Sequence, residues 1–187
     1  MDETPVWFDN QSRYTVTTKH VKQRATSRIT VVLSCCSNGQ KQDPVVILKN
    51  KGPIPDNISV VFQEKAWMNS NIMVEWLKQR DFTGKHLLLD SFSGHKSKAV
   101  LHQLNYTDHT FIPPRCTSEL QPLDIGVNKP FKDMLRAKWN NWIESGQVTK
   151  YGNYKAAPTS LLLAWIADCW KNITTCTVLN SFRAALS

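Results

Sequence analysis

The sequence predicts a layered, mixed α/β domain. Short β-branched runs crowd the first third of the chain, strand-like and helical segments alternate in the middle, and the last part carries stripes of apolar residues at helical spacing. At 187 residues one domain is expected, and 41% hydrophobic residues, with seven Trp and seven Phe, suffice for a core and exclude a disordered chain.

Strands come first. Ile29–Cys36 (ITVVLSCC) is rich in β-branched residues, and Ser37-Asn38-Gly39 marks a turn after it. Pro44–Leu48 then reads as the second arm of a hairpin, and Ile58–Phe62 as a third short strand. Between them Gly52, Pro53 and Pro55 require a loop. Ile72, Met73, Trp76 and Leu77 share one helical face, with Asn69 or Ser70 as N-cap. Lys85–Asp90 (KHLLLD) reads as a buried strand ending in a carboxylate, Ser91–His95 as a turn, Lys96–Leu104 as a short helix, and His109–Ile112 as a strand stopped by Pro113-Pro114. Phe131, Leu135, Trp139, Trp142 and Ile143 form one stripe on a helix over Lys129–Ile143. Leu162, Trp165, Ile166, Cys169 and Trp170 repeat that pattern, and Val178, Phe182 and Leu186 predict a last short helix. The Trp pairs 139/142 and 165/170 read as core rather than as base-stacking platforms.

Charge and cysteine usage narrow the function classes. The net charge is +8 and the pI about 9.3, which favours a polyanionic partner, nucleic acid first. Basic residues cluster at Arg13, Lys19, Lys22, Arg24 and Arg28, at Lys96 and Lys98, and at Lys129, Lys132, Arg136 and Lys138. Such groups contact phosphates without reading sequence. Five cysteines without a CxxC argue against a zinc site or a disulfide framework and for buried free thiols. No apolar run reaches membrane-spanning length, and no signal peptide is recognisable, so a soluble intracellular protein is expected.

Three acidic stretches carry the chemistry: Asp2-Glu3-Thr4-Pro5, then LLLDSFSGH over Leu87–His95, then PPRCTSELQPLD over Pro113–Asp124. Two Mg²⁺ or Mn²⁺ ions acting on a phosphodiester need clustered oxygen ligands from separate elements. Among 15 Asp and Glu residues some such trio is always available, so spacing alone is nonspecific. Glu3 reads as a solvated neighbour, His95 as a structural residue of its turn, and Thr117, Ser118 and Gln121 as braces of the loop that presents Asp124.

The contexts of these acids resemble the DDE endonuclease domain of the pogo/Tigger/jerky branch of mariner-type transposases. DETP, LLLDSFSGHKS, FIPPRCTSELQPLDIGVNKPFK, KAWMNSNIMVEWL and the closing Ser181-Phe182-Arg183 carry the resemblance over nearly the whole chain. It implies an RNase H-like fold, a mixed five-stranded sheet with flanking helices. Asp2, Asp90 and Asp124 match the catalytic, metal-binding acids, with Mg²⁺ or Mn²⁺ as a two-ion cofactor. The implied activity is DNA strand cleavage and transfer, with transposon ends and target DNA as partners, nuclear localisation, and a homodimer as one possible assembly. Residues 1–187 then form the catalytic domain, without the helix-turn-helix region relatives carry, and with a truncated first strand, since only Met1 precedes Asp2. The alternative is a domesticated, catalytically silent module that binds DNA or protein.

Overall fold

The β-branched runs form strands whose alternation sorts side chains onto two faces. The computed structural model describes residues 1–7, 28–49, 54, 58–146 and 155–187. Strands β1 (Asp2–Trp7), β2 (Arg28–Leu33), β3 (Val45–Leu48) and β4 (Ser59–Phe62) lie side by side in that order. β1–β2 and β2–β3 are antiparallel and β3–β4 parallel, with Asp2 opposite Leu33 and Thr30 opposite Ile47. β5 (Leu87–Leu89) and β6 (His109–Phe111) pair in parallel as a second ladder. The Met1 ammonium donates to the Leu88 carbonyl at 3.2 Å, which brings the head of β1 against β5. The described strands therefore number six in two ladders rather than five in one sheet. The physical reason is register: β1 enters the ladder at Asp2, so Met1 alone reaches across to β5.

One face of the main sheet (Val6, Ile29, Val31, Leu33, Val46, Leu48) packs on Val127, Phe131, Leu163, Ile166 and Trp170. The other (Met1, Val32, Val45, Ile47) packs on Met73, Trp76, Leu89, Val100 and Leu104. Helices thus cover both sides of a mixed sheet, as the sequence predicts. Helix α1 (Ser70–Lys78) and helix α2 (Lys98–Leu104) form the second layer. Asn69 Oδ1 accepts the Ile72 N–H at 2.9 Å, so the expected N-cap is in place. α2 starts two residues later than expected because Ser97 caps it, behind a tight 3₁₀ turn over Ser93–Lys96.

The opposite layer holds helices α4 (Asn128–Glu144), α5 (Thr159–Asn172) and α6 (Thr175–Ala185). The stretch before α4, expected as a loop, contains a one-turn helix α3 (Thr117–Leu120) and a π turn, Leu123–Val127, that runs directly into α4. Of the tryptophans of this layer, Trp170 is buried in the core, and Trp139, Trp142 and Trp165 are partly buried against it. Trp170 meets Phe131 edge to face at 6.2 Å, and Trp142 meets Trp165 likewise at 6.3 Å. All five thiols are unpaired, but Cys169 alone is fully buried. Burial pushes Cys169 and the half-buried Cys35 up to about 11. Arg13, Lys19, Lys22 and Arg24 lie outside the described residues. Among the described residues no helix is long and apolar enough to cross a membrane.

Lys41 ties the layers together. Its ammonium donates to the carbonyls of Trp170, Lys171 and Ile173 at the C-terminal end of α5. Lys41→Met keeps the stem and removes the donor. It is expected to lower stability by about 1–2 kcal/mol, read from urea unfolding.

Candidate metal centre

Alternation along β1 sends neighbouring side chains to opposite layers. Asp2, Thr4 and Val6 are buried toward α4–α6, whereas Met1 joins the α1–α2 side. Asp2 is 8% exposed. The Asn128 amide nitrogen donates to Asp2 Oδ2 at 2.6 Å and to Asp124 Oδ1 at 2.9 Å, clasping the two carboxylates. Asp124 and Asn128 are four residues apart across the junction of the π turn and α4, which puts both on one face. Burial raises the Asp2 carboxyl, the Asp124 charge raises it further, and the Asn128 bond opposes both, leaving it at about 6.

Asp90 follows β5 directly. Its Oδ1 accepts from the Phe92 N–H at 3.1 Å and from His95 Nδ1 at 2.8 Å. Burial pushes the Asp90 carboxyl up, but these two bonds outweigh it and hold it below the usual carboxylate range. His95 is 1% exposed, and its Nε2 donates to Glu3 Oε1 at 2.8 Å. Burial disfavours the charged ring, yet the bonds to Asp90 and Glu3 prevail and raise it to about 10.

The sequence-predicted acids are thus partly assembled. Asp2 and Asp124 are joined through Asn128, and Asp90 sits at the end of the strand that Met1 touches. Among the described residues the group with ligand atoms mutually within 4.8 Å is Glu3, Asp90 and His95, and the trio Asp2, Asp90 and Asp124 is not such a group. Glu3 is not a solvated neighbour: the strand turns it inward onto His95. Asn128 is the functional residue that sequence reasoning missed, and its i, i+4 spacing from Asp124 is the signal that could have found it. Gln121 does brace the site, donating to the Met1 carbonyl at 2.8 Å from a fully buried position, while Ser118 is exposed.

The donor set suits a hard divalent cation, which takes carboxylate oxygen and keeps several waters. Two further observations agree. Asn128 Oδ1 and Thr4 Oγ1 are buried without a hydrogen-bond partner, and Asp2 is pushed toward neutrality by its burial first and by the Asp124 charge second. The lysines of α4 are largely engaged: Lys129 with Asp133 at 3.2 Å and Lys138 with Asp168 at 2.8 Å.

Gly126 allows the π turn to lie against α6. A Cβ there would stand 2.8 Å from the Ser181 Cβ and 3.4 Å from its Cα. Gly126→Val is therefore expected to cost about 1–3 kcal/mol by overpacking, and to move Asp124 with the turn. Urea unfolding measures the first effect and Mn²⁺ affinity the second.

The model of the DDE superfamily endonuclease family matches residues 26–182. The chain belongs to that family. Asp90 and Asp124 lie within the matched span of this DDE endonuclease domain, and Asp2 precedes it. The chain is 31% identical to the human protein "Pogo transposable element with KRAB domain", over 97% of its own length and 34% of that protein's. The mouse protein of the same description is 32% identical with the same coverage. The human "Pogo transposable element with ZNF domain" is 24% identical over 83% of the chain and 12% of that protein. The chain spans about a third of the length of the first two relatives. Among solved structures, the Mos1 transposase paired-end complex with left transposon end aligns with a TM-score of 0.47 at 12% identity, covering 97% of this chain and 54% of that one.

Proposed function

We propose that residues 1–187 form a metal-dependent DNA strand-cleavage and strand-transfer domain, with Asp2, Asp90 and Asp124 as its metal-holding acids. The observation that carries this reading is the buried Asp2 clasped to Asp124 through Asn128. A fold gains nothing from holding a buried carboxylate against a second one, and such perturbed pairs concentrate at functional sites. Two Mg²⁺ or Mn²⁺ ions bound by these oxygens would supply activation of an attacking oxygen and charge stabilisation at a leaving one. The protein's own part is positioning. Asn128 fixes the angle between Asp2 and Asp124, Gln121 pins the head of β1, and β5 delivers Asp90 to the rim beside it. The substrate is DNA, at transposon ends and at a target, which places the protein in the nucleus. Two ends call for two copies of the chain.

Nicking of a supercoiled plasmid in Mn²⁺ against EDTA tests the reading: Mn²⁺-dependent open-circle product is expected, and its absence together with no Mn²⁺ binding sinks it. One observation favours the silent binding module, namely that the three acids do not converge as a trio. Salt-sensitive DNA binding without Mn²⁺ binding, measured by calorimetry, would select that module.

A further inference from the structure

We propose that Glu3 and His95 are a positioning pair for Asp90, locking its Oδ1 so that Oδ2 is presented for ligation. The inference rests on the metal-dependent reading above and assigns two residues a role within it.

The compact cluster of Glu3, Asp90 and His95 has the composition of a three-ligand metal site. Its bonding argues otherwise. His95 Nε2 lies 2.8 Å from Glu3 and Nδ1 lies 2.8 Å from Asp90, so each ring nitrogen already faces its own carboxylate at hydrogen-bond distance. Both ring nitrogens are thus committed to protein carboxylates, and neither is left for a metal in this cluster. Burial closes it off, with His95 1% exposed and the Phe92 ring meeting it edge to face at 5.5 Å. Gly94 makes room for that ring, since a Cβ there would come within 2.6 Å of Phe92 Cε1.

The consequence falls on Asp90. Its Oδ1 takes both donors, His95 and the Phe92 N–H, which fixes the plane of the carboxylate and leaves Oδ2. Groups that orient a metal ligand in this way typically matter 10–100-fold in metal affinity. β1 now acts as a common bar for the site. Asp2 reaches Asp124 through Asn128 in one layer, and Glu3, the next residue, reaches Asp90 through His95 in the other.

The test uses two carboxamides with different reach. Asn places its amide nitrogen where His carries Nδ1, and Gln where His carries Nε2. His95→Asn therefore keeps the donor to Asp90 and loses the one to Glu3, while His95→Gln does the reverse. Each loses one hydrogen bond and the ring charge, so a purely structural His95 predicts equal effects. Mn²⁺ alone is titrated into the full chain, with free Mn²⁺ followed by electron paramagnetic resonance. We expect His95→Gln to weaken binding about tenfold and His95→Asn to stay within about threefold of wild type. Equal affinities for the two variants overturn the proposal. Glu3→Gln gives a second reading that does not depend on altering the buried ring. It keeps an acceptor for Nε2–H, so binding within about threefold of wild type is expected, and a loss of about tenfold or more makes Glu3 a ligand and overturns the proposal. Wild-type protein that binds no Mn²⁺ is a different result, and it overturns the metal-dependent reading itself.

Discussion

Asp124→Ala is expected to lower Mn²⁺-dependent nicking by at least about 10³-fold, roughly 4 kcal/mol of transition-state stabilisation, while leaving the urea midpoint unchanged or raised. The two signs have separate causes. Asp124 is exposed and contributes nothing to either core cluster, so its removal opens no cavity. Its charge is instead one of the groups that push Asp2 toward protonation, and removing it relieves that repulsion. Asn128 keeps its shorter bond, to Asp2. Activity falls for an independent reason: a hard cation loses one of the few protein oxygens offered to it. A residue kept for folding would lose stability on truncation, whereas one kept for chemistry loses activity and can gain stability. Gly126→Val is the contrast, since it should lower both. Nicking rates and urea midpoints on the same preparations decide the matter, and a midpoint that drops by more than about 1 kcal/mol for Asp124→Ala would make Asp124 structural.

Much of this was legible in the sequence, because the forces concerned are local. β2, β3 and α1 follow from β-branched runs, apolar spacing and the Asn69 cap. Asp90 and Asp124 stand out through the motifs around them. β1 was harder to read. Asp, Glu and Pro disfavour strands, yet DETPVW pairs with β2 along its full length. Tertiary pairing overrides propensity there, and Pro5, which has no N–H to give, is tolerated because β1 is the edge strand of its ladder. Once β1 is a strand, alternation alone separates Asp2 from Glu3, and Glu3 ceases to be a solvated acid. The π turn left no sequence signature, and it lies against α6 at Ser181, a contact far away in the chain. One partner of His95 is equally nonlocal, Glu3 being 92 residues away.

Asp2→Asn is expected to stabilise the metal-free protein near pH 7 by up to roughly 3 kcal/mol, an advantage that vanishes in acid. Asp2 has a folded-state value of about 6 against an ordinary value of 3.8, raised by burial first and by Asp124 second. Between those values the folded chain binds more protons than the unfolded one, so this group's contribution falls as pH rises. Below 3.8 both states are protonated and the buried carboxyl costs nothing; above about 6 the full cost of the buried charge is present. Asparagine is neutral throughout, so the gap between variant and wild type should open across that window and then stay flat. Unfolding free energies by urea at about pH 4, 5 and 7 trace the gap, and a gap of constant size would remove Asp2 as its source. A divalent cation should act as the proton does, by compensating the charge. Wild-type stability near pH 7 should therefore rise with Mn²⁺ while Asp2→Asn responds weakly, because ligand binding stabilises only through the state that binds it. Proton and metal then compete for one carboxylate. Mn²⁺ affinity should fall as pH drops below about 6, by as much as about tenfold per unit, and binding there should release a proton that calorimetry in two buffers can count. The same burial that makes the Asp2 charge costly would make it responsive to a cation that compensates that charge.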